Sequence, residues 1–144
     1  MSSLFSHNAQ TAADINLVTQ LSMGVALLIG TILARRKWFR AHAVCQSLVI
    51  LLNLIPISIY MEPVFRRGVL PDLPAMLGER LYAVSTAHAV LGLMAEALGL
   101  YIVIAAGTPI LPKALRFNNY KAWMRIELAL WWLVIAFGVG IIYL

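Results

Sequence analysis

Four long apolar stretches, separated by short polar segments, dominate the chain. Residues 17–34 and 43–61 contain no charged side chain, residues 81–107 contain only Glu96, and residues 128–144 contain none. A membrane span needs roughly 17–25 predominantly apolar residues. Backbone groups inside lipid must bond within their own segment, so each stretch is read as an α-helix. The pattern predicts an all-α, integral membrane four-helix bundle, one domain over residues 1–144. Its helices are expected at about 17–34, 43–61, 81–107 and 126–144. An outer loop is expected at 62–79, broken by Pro63, Gly68, Pro71, Pro74 and Gly78. Thr108, Pro109 and Pro112 are expected to end the third helix.

Composition agrees. The chain of 144 residues is 62% hydrophobic and only 12% charged, with a mean hydropathy of +0.86. A soluble domain has about a quarter of its residues charged. Cys45, the single cysteine, lies in an apolar span and reads as a small buried hydrophobe. The N-terminal segment lacks a basic region before its apolar run, which argues against a cleaved signal peptide. No Cys/His metal cluster, phosphate-binding glycine loop or nucleophile elbow is present, and no enzymatic activity is expected of the chain alone.

The net charge of +5 does not point to nucleic acid, because the basic residues sit at helix ends. Arg35, Arg36, Lys37 and Arg40 follow the first span, and Lys113, Arg116, Lys121 and Arg125 follow the third. On the opposite side Arg66, Arg67 and Arg80 are offset by Glu62, Asp72 and Glu79. The positive-inside rule places the first group in the cytoplasm and both termini outside. Trp38, Phe39, Tyr120 and Trp123 would form an inner aromatic belt, and Tyr60, Phe65, Tyr82 and Tyr143 an outer one.

Ionisable groups inside a span are expensive and mark candidate sites. Here they are His88 and Glu96 in the third span, Glu127 in the fourth, and His42 at the inner end of the second. Gln20, Gln46 and Asn53 accompany them. At ~1.5 Å per residue, His88 lies roughly 10 Å below the outer face. Counting back from Met61 puts Asn53 in the same layer, with Met23 at a similar level. Pro56 frees the Leu52 carbonyl nearby. His88 is therefore either an interhelical hydrogen-bonding residue or a ligand to haem or another metal, or a quinone contact, with Met23 as a second haem ligand. His42 is either an interfacial polar residue or a second candidate ligand. It lies on the order of 20 Å from His88 along the membrane normal, too far to share one haem. Glu96 is either a protonated or paired structural residue or a proton-relay group, with Gln46, Arg125 and Glu127 as candidate partners. Gly24, Gly30, Gly92, Ala95, Gly99, Gly138 and Gly140 supply small surfaces for docking inside the bundle or against a partner.

Three segments carry a family resemblance: RRKWFRAH leading to His42, RLYAVSTAH with Arg80, Tyr82 and His88, and RIELALWWLVIAFGVGIIYL with Arg125, Trp131 or Trp132, Gly138 and Tyr143. Together they resemble, over roughly residues 35–144, a small bacterial four-helix membrane family linked to maturation of haem-copper (cytochrome) oxidases. The family pattern has two further histidines, where this chain has Tyr60 or Met61, and Tyr120. The resemblance implies a multi-pass protein of the bacterial cytoplasmic (inner) membrane. It would be an accessory or assembly subunit of a respiratory electron-transfer complex, contacting lipid and other transmembrane subunits. Two alternatives stay open: a redox subunit binding haem b or quinone at His88 or His42, and a small transporter or proton-conducting subunit centred on Glu96.

Overall fold

The computed structural model describes the backbone of residues 2–116 and 118–142, and the side chains of residue 11 and of residues 14–116 and 118–141. Tyr143, expected in the outer belt, lies outside the described residues. The elements are α1 (Ser2–Arg35), α2 (Phe39–Pro56), a π-helical turn (Ile57–Met61), α3 (Glu62–Gly68), a 3₁₀ turn (Leu70–Asp72), α4 (Arg80–Gly107), a second 3₁₀ turn (Lys113–Leu115) and α5 (Tyr120–Ile142). Four helical segments are long and apolar enough to cross a membrane: Asp14–Arg35, Phe39–Asp72, Arg80–Gly107 and Tyr120–Ile141. The protein is an all-α four-helix bundle of the multi-pass membrane type.

The bundle is built from two hairpins. α1 packs along α2, and α4 along α5; α2 then meets α4, and α1 meets α5. Short connections between antiparallel neighbours produce this order directly. The α1–α2 turn is a Schellman motif: Trp38 N–H bonds to the Leu33 carbonyl and Lys37 N–H to the Ala34 carbonyl. Lys37 occupies its left-handed position at φ 64°, where glycine is the usual residue. Between α4 and α5, Thr108 adopts extended backbone ahead of Pro109. Arg116 then ties the loop together, donating to the carbonyls of Leu111 and Thr108, each at 3.0 Å. Tyr101 donates its hydroxyl to the Leu115 carbonyl and Tyr120 to that of Ala105, fastening the loop to α4.

The second span differs from its sequence expectation. It does not stop at Met61 but continues helically to Gly68. Pro56 removes one backbone donor without ending the helix, which widens just beyond it into a π turn, where Glu62 N–H bonds to the Ile57 carbonyl. Pro63 follows the π turn directly, at the start of α3. The irregular outer segment therefore shrinks to residues 69–79. Tyr82 braces it by donating to Asp72 at 2.9 Å. The fourth helix likewise starts earlier than 126. Asn119 accepts from Ala122 N–H at 3.3 Å through its side chain, and α5 begins at Tyr120.

Leu27, Val49, Ile50, Ala95, Trp131 and Val134 form the buried apolar centre, with at least one residue from each spanning helix. Of the small residues, Gly24, Gly30, Ala95, Gly99 and Gly138 are used within the bundle, whereas a Cβ on Gly140 would meet nothing within 4 Å. Ala95 and Gly99 are both buried. A Cβ on Gly99 would stand 2.7 Å from Glu127 Oε1 and 2.9 Å from Ile50 Cδ1. One on Gly24 would meet Ile135 at 3.1 Å, and one on Gly30 would overlap the Gln46 amide. These close approaches let the helices meet around the polar groups between them.

Candidate functional site: a polar layer inside the bundle

The buried polar side chains among the described residues are Gln20, Asn53, Glu96 and Glu127. Each comes from a different spanning helix, α1, α2, α4 and α5 in turn. Gln20 donates to Asn53 Oδ1 at 3.2 Å. Asn53 donates to Glu96 Oε2 at 2.9 Å. Trp131 donates its indole N–H to Glu127 Oε1 at 2.7 Å, four residues along the same helix. Glu127 reaches the Glu96 side of the bundle because Gly99, one turn below Glu96, carries no side chain to block it.

The layer replaces two expected pairings. Asn53 does not share a level with His88. Because α2 runs on past Met61, Asn53 lies deeper in its helix than a count back from Met61 places it, and it faces Glu96. Nor are Gln46 and Arg125 the partners of Glu96: Gln46 packs against Gly30, and Arg125 is exposed on α5. Glu127 is the one expected partner that the fold brings near.

His88 lies at the α4–α5 interface. Its Nδ1 is 3.0 Å from the Val134 carbonyl, not at Leu52 or Asn53, so this nitrogen carries the proton in the neutral ring. Its ring lies over Gly138, whose Cβ would stand 3.0 Å from His88 Cε1. His42, at the opposite end, donates from Nδ1 to the Gly30 carbonyl at 2.8 Å. Cys45 is half-buried and 3.4 Å from the Ala26 carbonyl. Met23 belongs to the other hairpin, lining an apolar groove between α1 and α2 with Val18, Ser22, Cys45, Val49 and Leu52. The candidate ligands His88, His42 and Met23 therefore occupy three separate places. No group of three metal-ligating His, Cys, Asp or Glu side chains occurs among the described residues.

Sequence reasoning missed Trp131 as a partner of Glu127. The signal was available, since a donor four residues from an acceptor lies on the same helix face. It also treated Gln20 only as a companion residue, though Gln20 closes the chain of hydrogen bonds.

Taken together, the four apolar helices and the enclosed polar layer define a multi-pass α-helical membrane protein whose ionisable chemistry is turned inward. No family model matches the chain, and no curated protein or solved structure shows significant similarity to it.

Proposed function

We propose that the chain is an accessory or assembly subunit of a respiratory electron-transfer complex of the haem-copper oxidase type, in the bacterial cytoplasmic membrane. The observation that supports this reading is the opposite use of the inner and outer surfaces. Polar side chains close on one another inside, while large apolar residues such as Leu93 and Ile59 point outward at 72% and 74% exposure. Each span buries only 17–28% of its apolar window within the chain. The rest is available to lipid and to the helices of a larger assembly. Between the spans the described residues offer only short connections, which favours recognition within the membrane. The kind of complex rests on the resemblance carried by RRKWFRAH, RLYAVSTAH and the α5 segment.

The test is purification from native membranes in a mild detergent. The chain should migrate with large haem-bearing subunits, and its deletion should lower the amount of assembled oxidase. Migration as a free monomer, with oxidase content unchanged on deletion, would overturn the proposal.

A further inference from the structure

Hydrogen bonding does not account for all of the polar layer. Glu96 uses Oε2 to accept from Asn53, and Glu127 uses Oε1 to accept from Trp131. The other oxygens, Glu96 Oε1 and Glu127 Oε2, are buried with no protein partner. Both residues are more than nine-tenths buried, at 5% and 8% exposure. Residues three apart on a helix have Cβ atoms about 5–6 Å apart. Glu127 Oε1 stands 2.7 Å from the Cβ position of Gly99, three residues from Glu96 on α4, so the two carboxyls enter the same region of the bundle.

No buried cation neutralises them among the described residues. From α1 and α2 the layer receives the uncharged amides of Gln20 and Asn53. On α4, Tyr101 bonds to the Leu115 carbonyl and His88 to the Val134 carbonyl. On α5, Arg125 is exposed and Tyr120 bonds to the Ala105 carbonyl. His42 of α2 is bonded to the Gly30 carbonyl. Two ionised carboxylates in a shared low-dielectric site repel each other, so without a cation the pair favours holding a proton.

We propose that Glu96 and Glu127 form an occluded proton-binding site, in which one exchangeable proton is held between the two carboxyls. The hydrogen-bond inventory closes with one proton. One free oxygen carries it as O–H, the other accepts it, and the N–H donors of Asn53 and Trp131 stabilise the negative charge left on the pair. Release of the proton returns two carboxylates; uptake re-forms the bond. A hard metal cation fits poorly, since such ions take about six or more oxygen ligands and only two carboxyl oxygens are unpartnered here. The site goes beyond the accessory role and does not depend on which complex the chain serves.

The experiment is infrared spectroscopy of the purified full chain in lipid vesicles, titrated with pH in H₂O and D₂O, in sodium and in choline salts. A carbonyl band of a protonated carboxyl should appear. It should shift in D₂O, vanish reversibly as pH rises, and be the same in both salts. Glu96→Gln or Glu127→Gln should each shift the band, and the double substitution should remove it. A hydrophobic carbodiimide, which adds to protonated carboxyls, should modify Glu96 or Glu127 of the unaltered protein, as mapped by mass spectrometry. That reading holds even if a variant fails to fold. Absence of the band at every pH, insensitivity to D₂O, dependence on sodium, or modification confined to Asp14, Glu62, Asp72 or Glu79 would each overturn the proposal.

Discussion

Asn53 on α2 and Glu96 on α4 are joined by a 2.9 Å hydrogen bond across the interface between the two hairpins. The same Asn53 accepts from Gln20 on α1, so one amide links three of the four spanning helices. This bond should be measurable. In a double-mutant cycle of Asn53→Ala and Glu96→Ala, unfolding in mixed micelles should give a coupling of about 0.6–1.7 kcal/mol, the range seen for hydrogen bonds between membrane helices. Strict additivity would mean that the two side chains do not interact.

Gly99 is required because Glu127 and Ile50 occupy the space a side chain would take. Gly99→Val should destabilise the bundle by about 1–3 kcal/mol, as overpacking does. Gly92→Ala, on the same helix, meets only Val134 at an ordinary 3.7 Å. It should be neutral or raise stability by up to about 1 kcal/mol through helix propensity. Thermal unfolding in detergent separates the two; equal effects would contradict the packing described.

His88 is held by the Val134 carbonyl and lies over Gly138. His88→Ala should cost about 0.6 kcal/mol, with helical content unchanged by circular dichroism. Gly138→Val drives a side chain into the imidazole and should cost more than His88→Ala. The reverse order would place His88 elsewhere.

Lys37 holds a left-handed backbone conformation at the end of α1. For an L-residue with a Cβ this conformation costs roughly 1–2 kcal/mol, a strain that glycine avoids. Lys37→Gly should therefore stabilise the α1–α2 hairpin by about 1 kcal/mol, offset in part by glycine's greater freedom in the unfolded chain. A lower melting temperature would show that the lysine side chain contributes more than its backbone costs.

By the positive-inside rule, the basic connections are expected to lie in the cytoplasm, at the α1–α2 and α4–α5 turns. In a chain with Cys45→Ala, Gly68→Cys should react with an impermeant thiol reagent applied from outside, and Ala114→Cys should not. The opposite labelling would invert the topology.

The number of spanning helices and their apolar character were legible in the chain, because hydropathy adds up locally along a segment. So was the list of costly polar residues: His42, His88, Glu96 and Glu127 stand out against apolar neighbours whatever the fold. Their partners were not legible. Depth counting tied Asn53 to His88 because Met61 was read as a helix end. Backbone bonding decided otherwise, carrying the helix through a π turn to Gly68 and leaving Asn53 opposite Glu96. The small residues were equally ambiguous until helix rotation was known, since Ala95 and Gly99 look the same in sequence whether they face a partner or the core. Which side chains meet depends on register and rotation between helices distant in the chain. Tertiary packing sets both, and here it turned Gly99 inward and so gave Glu127 its place beside Glu96.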